Sequence, residues 1–244
     1  MRGLDATDVL ALADECRGLH VVDASLACLA RADEGADARS LAALSIGERD
    51  LRLLRLRERT LGPRLELRTV CPACAEVLEL EHDAAALVVA PPDADAAERL
   101  KRTRVAGRPF RLRPLDSRDL AAVAHEPDTA RARRILAARC LAAEEGGALD
   151  PQSLTDEELD DVSRRLAELD PQSDIALALV CPNCRHGWEA PFDIAVLLRR
   201  ELDHRGGTIL ADVHDIARTY HWSEAEILSL GTQRRQAYLA LIRS

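Results

Sequence analysis

The chain has 244 residues, of which 47% are hydrophobic, 31% charged and only 2% aromatic, and it carries a net charge of -9 with a pI near 5.3. This composition excludes a disordered chain, and the acidic balance argues against a duplex nucleic-acid surface, which needs Lys and Arg to neutralise phosphates. With so few aromatics, Leu, Val, Ile and Ala must fill the core, a vocabulary that favours helices, so the expected class is α+β and mostly helical.

In chain order, Val9, Leu10, Leu12, Ala13, Cys16, Leu19, Val22, Leu26 and Leu29 recur at three-and-four spacing, predicting two helices broken near Gly18. Residues 33 to 40 read as a polar loop. Ser45 and Glu48 form a capping box for a helix from Ile46 to Leu61, with Leu51, Leu54 and Leu61 facing inward and Gly62-Pro63 as its stop. This stretch is rich in arginine, from Arg49, Arg52, Arg55, Arg57 and Arg59 to Arg64 and Arg68, which reads first as the compositional habit of a GC-rich genome and second as a surface for an acidic partner.

Beyond the stop the period changes to alternation. Leu65, Leu67 and Thr69 lead to Cys71-Pro72-Ala73-Cys74, and Val77, Leu78 and Leu80 lead away, which reads as strand, knuckle, strand. Ile175, Leu177 and Leu179 lead in the same way to Cys181-Pro182-Asn183-Cys184, with Trp188-Glu189-Ala190 beyond. Two hairpins, each with C-P-x-C at its tip, make a split zinc ribbon. The four cysteines supply the closed tetrahedral shell of a structural zinc, with an apparent free energy of roughly 10 to 16 kcal/mol in zinc-binding peptides. A thioredoxin-like redox reading is weaker, since that motif opens a helix within a βαβ unit. His82 and His186 lie near the knuckles and are expected outside the ligand set, and His204, His214 and His221 show no metal-binding spacing. Cys16, Cys28 and Cys140 lie in helical patterns and read as small buried hydrophobes.

The segmentation expected is 1-62 (N-terminal helices), 63-90 (first half of the ribbon), 91-171 (a mainly helical insertion), 172-192 (second half of the ribbon) and 193-244 (C-terminal helices). Within the insertion the pattern predicts a short helix to Lys101 and a hairpin around Gly107-Arg108. Helices follow, capped by Asp116 to Val123 and by Asp128 to about Ala143, the latter with Ile135, Leu136 and Leu141 inward. A loop over 144-150 and a helix with a Thr155/Glu158 capping box, ended by Asp170-Pro171, complete it. After the second knuckle a long helix opens at Pro191 to Asp193, is interrupted at Gly206-Gly207, and resumes to Tyr220. Ser223 and Glu226 cap a short helix, and a last helix runs from about Gln233 to Ile242.

No phosphate-binding glycine loop, nucleophile elbow or dinucleotide fingerprint occurs, and the acidic run Asp156 to Asp161 reads as a helix start, so no enzyme is expected. No run approaches the roughly eighteen apolar residues of a membrane helix, and the N-terminus lacks a signal pattern, so the expectation is a cytoplasmic protein.

Three stretches together resemble the baseplate hub, or hub-assembly chaperone, proteins of T4-type contractile phage tails and related bacterial injection systems. They are Ser45-Ile46-Gly47-Glu48-Arg49-Asp50 through Leu61-Gly62 to the first knuckle; the second knuckle with Trp188 and Pro191-Phe192-Asp193; and Ile216-Ala217-Arg218-Thr219-Tyr220-His221-Trp222-Ser223-Glu224-Ala225-Glu226-Ile227-Leu228 with Arg234-Arg235 and Tyr238-Leu239. The resemblance implies a non-enzymatic assembly factor that binds other baseplate, hub, spike or tail-tube proteins in the bacterial host cell, transiently or as part of the particle. Tyr220, Trp222, Arg234, Arg235, Arg52 and Arg55 are then the candidate partner-binding residues. The alternative is a DNA-binding regulator combining a zinc ribbon with a C-terminal helix-turn-helix, a reading the charge balance opposes.

Overall fold

The computed structural model describes residues 1-143 and 149-243. It is 58% helical and 17% strand, the mostly helical α+β architecture expected from composition. Helix α1 (Ala6–Glu15) starts at a reciprocal cap between Asp5 and Asp8, and α2 (Val21–Ala32) starts at His20, whose ring accepts from the Val22 N–H. The polar stretch after α2 is more ordered than expected. Asp37 accepts from the N–H groups of Arg39 and Ser40 and nucleates a five-residue helix, α3 (Ala38–Ala42).

Helix α4 (Ile46–Leu61) has the expected bounds but a different buried stripe. Leu53, Leu54 and Leu56 are buried, whereas Leu51 and Leu61 are only half-buried. The stripe runs through Ile46, Arg49, Leu53, Leu56 and Arg57, and its two arginines disguise it in any apolar count. The capping box at Ser45 is half made: Ser45 Oγ accepts from the Glu48 N–H at 3.1 Å, but the Glu48 carboxylate turns to Arg52 Nε at 2.8 Å.

Strands β1 (Arg64–Val70) and β2 (Val77–Asp83) pair antiparallel, Leu67 opposite Leu80 and Val70 opposite Val77 at the tip. The insertion follows as α5 (Ala94–Lys101), β3 (Arg102–Val105), β4 (Arg108–Leu112), α6 (Ser117–Val123) and α7 (Thr129–Cys140). Helix α7 stops three residues early. Leu141 to Ala143 form β5 (Leu141–Ala143), which pairs with β4 through Leu112 opposite Leu141 and Phe110 opposite Ala143. Ladder bonds and burial of Leu141 outweigh another helical turn. Ala137, Ala138 and Cys140 take the inner face in place of Ile135 and Leu136, which are half-buried. Of the expected 144-150 loop, residues 144-148 lie outside the described residues. Helix α8 (Asp156–Leu169) has its Thr155/Glu158 capping box complete. The insertion owns a core built on Val105, Phe110, Leu112, Leu154, Leu159 and Val162.

Both ends of the insertion are fastened to the body. Buried Gln172 accepts from the Val89 N–H at 2.7 Å and donates to the Leu87 carbonyl at 3.2 Å. Asp170 accepts from the Gly47 N–H at 2.8 Å in the first turn of α4, a cap supplied from far along the chain. A Cβ on Gly47 would lie 2.0 Å from Asp170 Oδ1, so Gly47→Ala expels this cap. We expect it to cost about 1–2 kcal/mol in urea unfolding, and to cost much less in an Asp170→Ala background.

Strands β6 (Ile175–Val180) and β7 (Gly187–Phe192) form the second hairpin, Leu179 opposite Trp188. Then Asp193 caps α9 (Ile194–Tyr220), a continuous helix of 27 residues. The expected interruption at Gly206-Gly207 does not occur. A Cβ on Gly206 would stand 3.2 Å from the Ala13 Cβ, so this glycine serves close packing against α1, while Leu202 and Ile209 anchor the helix on either side. Helix α9 is the spine of the fold, touching α1, α2, α4, α10 (Glu224–Ser229) and α11 (Thr232–Arg243). The main core gathers Leu12, Leu29, Leu53, Leu198, Ile216 and Ile227, and Leu65 at the base of the first hairpin joins it. Among the described residues, no helix is long and apolar enough to cross a membrane.

Candidate metal centre

Each hairpin carries its cysteines on the same tight turn. In the first, the Cys71 N–H donates to the Glu76 carbonyl at 2.8 Å and the Ala75 N–H to the Cys71 carbonyl at 2.9 Å. In the second, Cys181 donates to His186 and Arg185 to Cys181, both at 2.9 Å. The residue after each second cysteine turns left-handed, Ala75 at φ 60° and Arg185 at φ 59°. A side chain there crowds the backbone, so Arg185→Gly is expected to stabilise the metal-loaded protein by about 0.5–1 kcal/mol, read as a higher urea midpoint.

The two tips meet. Cys71 Sγ lies 3.7 Å from Cys184 Sγ and Cys74 Sγ 3.6 Å from Cys181 Sγ, and all four sulfurs lie within 4.8 Å of one another. A tetrahedral shell with metal–sulfur bonds of about 2.3 Å has sulfur–sulfur edges of about 3.8 Å, whereas a disulfide holds its sulfurs at about 2.05 Å. The cluster therefore has the dimensions of a four-sulfur metal site. Cys71 and Cys181, first in each knuckle, are buried, and Cys74 and Cys184 face solvent. Leu78, Leu80 and Trp188 pack beneath the two buried sulfurs, and Asn183 Nδ2 donates across the centre to Cys74 Sγ at 3.8 Å.

The neighbouring sulfurs act on Cys71 and Cys184 in opposite directions. Burial raises the Cys71 thiol, but the backbone N–H groups of Ala73 and Cys74 and the neighbouring sulfurs hold it down at about 7. Cys184 is drawn down by the His186 backbone N–H, yet the sulfurs of Cys74, Cys71 and Cys181 together with burial push it up to about 12. A bound cation would favour the thiolate form that ligation requires. The histidines stand outside the cysteine cluster. His82 pairs with Leu65 at the far end of the first hairpin, about 17 Å along the strands from the tip, and His186 stacks on Trp188 with centroids 6.1 Å apart. The other three cysteines are all buried, and burial pushes the thiols of Cys28 and Cys140 up to about 12.

The residues expected to meet partners are scattered differently. Tyr220, Trp222 and Tyr238 form a mutual cluster, with centroids 5.3, 5.4 and 4.9 Å apart, half-buried over the main core where α9, α10 and α11 meet. Arg234 and Arg55 are exposed, and Arg52 is half-buried against Glu48. Arg235 is only 1% exposed and so is not part of the surface. Part of the arginine cluster is engaged within the chain: Arg49 and Arg57 are buried on Asp50 at 2.7 Å and on Glu201 at 2.8 Å, and exposed Arg59 donates to the Met1 carbonyl. The ion pair between Arg57 and Glu201 joins α4 to α9 and escaped the sequence reading, because its partners lie too far apart in the chain for any local spacing rule.

The chain matches no family model, no curated protein and no solved structure. The likeness to baseplate hub proteins rests on the quoted residues alone.

Proposed function

We propose that the chain is a non-catalytic, zinc-clasped scaffold that binds other proteins during assembly of the baseplate hub of a contractile phage tail or injection system. The observation that carries the scaffold reading is the closed cluster of Cys71, Cys74, Cys181 and Cys184, with every sulfur turned to a common centre. Four thiolates at tetrahedral spacing suit zinc and leave it no open coordination position for a substrate or an activated water. Its task is then mechanical: to hold two hairpins together across the residues between Cys74 and Cys181. The half-buried Tyr220, Trp222 and Tyr238 cluster, with exposed Arg234 nearby, provides the aromatic and cationic surface that protein interfaces favour. The contractile-tail assignment is supported by the motif resemblance.

The test is co-expression with hub, spike, tube and tape-measure-like proteins of a contractile tail, followed by affinity capture. Recovery of one of them, diminished by Trp222→Ala in protein that keeps its metal, is the expected result. Recovery of none overturns the assembly reading. The DNA-binding alternative is disfavoured by the burial of Arg235 and by the acidic start of α10 at Glu224 and Glu226, and a retained low-salt shift of duplex DNA would revive it.

A further inference from the structure

A cavity of about 420 Å³ opens where the start of α1, the middle of α9 and the start of α11 converge. Among the described residues, its two cations hold no carboxylate at hydrogen-bond distance. The other buried arginines hold carboxylates closely, Arg49 at 2.7 Å and Arg57 at 2.8 Å. Arg235, 1% exposed and lining this cavity, approaches Asp212 only to 4.0 Å, and that carboxylate oxygen is already engaged by Gln236 Nε2 at 3.2 Å. Arg235 Nε is buried with no hydrogen-bond partner, and its NH1 has only a long contact of 3.4 Å to the Leu230 carbonyl. Arg205, half-buried on the same lining, makes no ion pair or hydrogen bond among the described residues.

The start of α11 adds to this. Gly231 precedes its first residue, Thr232, and both line the cavity. Glycine offers no side chain to the free N–H groups of the first turn, which also holds no acidic residue. The carboxylate on the lining is Asp5, and it is committed to the Asp8 N–H at 2.9 Å. Leu4, Leu61, Ile209 and Leu230 provide apolar walls.

We infer that this cavity is a carboxylate-binding site: Arg205, Arg235 and the first turn of α11 receive the anion, and the leucine and isoleucine walls receive an apolar group attached to it. Under-satisfied guanidinium donors beside an open helix start favour an oxyanion, because each donor gained is charge-assisted and water is displaced from a partly apolar wall. With Asp5 on the lining and Asp212 4.0 Å from Arg235, the site suits a single negative charge better than the double charge of a phosphate ester. The occupant is a carboxylate of a protein chain, an acidic side chain or a chain end beside an apolar residue. Only this source rests on the protein-binding reading above; the site itself does not.

The experiment uses the full-length, metal-loaded protein and 4-methylpentanoate as probe, with 4-methylpentanamide and inorganic phosphate as comparisons, read by thermal unfolding and by amide NMR shifts of residues 231 to 235. The expected result is a saturable rise in unfolding temperature with the carboxylate, and none with the amide. Arg205→Gln should weaken apparent affinity about tenfold, while Arg218→Gln, an exposed arginine outside the cavity, should retain it. No saturable response to the carboxylate, an equal response to the amide, a response to phosphate alone, or full retention in Arg205→Gln would each overturn the inference. Failure here leaves the partner-capture test untouched, and failure of capture leaves a measured carboxylate response standing.

Discussion

Cys181→Ser is expected to remove the metal and most of the fold's tolerance to denaturant. Elemental analysis of the parent should give one zinc per chain, and the variant well under half of that; a parent with far less than one zinc sinks the metal centre itself. Cys181 is fully buried and packed with Leu78, so the serine hydroxyl cannot turn to solvent and is a poor ligand where it stands. Structural zinc in small peptides is worth roughly 10 to 16 kcal/mol, comparable to the whole stability of a domain. Here the main core packs independently of the tips, so the expected outcome is partial rather than global unfolding. The hairpin tips lose hydrogen-exchange protection while α9 keeps it. Chelation of the parent should give the same pattern, and Cys74→Ser a milder one, since Cys74 faces solvent.

Glu201→Ala is expected to cost about 3 kcal/mol in urea unfolding, more than any other single surface-reaching carboxylate. Arg57 lies almost wholly inside, with both Nε and NH2 on the Glu201 carboxylate at 3.0 and 2.8 Å. Removing the acid leaves a buried cation with only the Gly62 carbonyl, the situation that makes breaking a buried pair expensive. The value stands at the low end of the usual range because Glu201 retains 20% exposure, which lets water approach. The pair is replaceable as well as breakable: Arg57→Met with Glu201→Leu should recover most of the loss. A double variant as unstable as Glu201→Ala alone would show that α4 and α9 depend on the charges themselves.

Local chemistry was the legible part of this chain. Caps such as Thr155 with Glu158 and Ser223 with Glu226 are written within four residues, and the alternating strands beside each knuckle could be read directly. So could the grouping of the four cysteines, because two identical turns bearing paired thiols need no knowledge of the rest. What stayed hidden depends on distant neighbours. Gly206-Gly207 breaks a helix in isolation, and only Ala13 across the interface shows why glycine stands there. Leu141 has helical company in the sequence, yet Leu112 recruits it into a sheet. The buried face of α4 was misplaced because arginine counts as polar until Glu201 is found opposite Arg57, with Asp50 beside Arg49. The candidate carboxylate cavity belongs to the same class, since Leu4, Arg205 and Arg235 share no pattern in the chain.

The knuckles also set a timetable. A ribosome adding about 5–20 residues per second would release Cys181 on the order of 5–20 s after Cys74. For that interval the first thiol pair waits in a nascent chain with half its shell missing, at its most open to oxidation or to a misplaced ion. The clasp closes only once the whole insertion has been translated and its two ends, held by Gln172 and Asp170, have been brought together. A metal-loaded molecule would therefore be one whose middle has already been made, so a bound ion would serve as a completion mark as well as a tie.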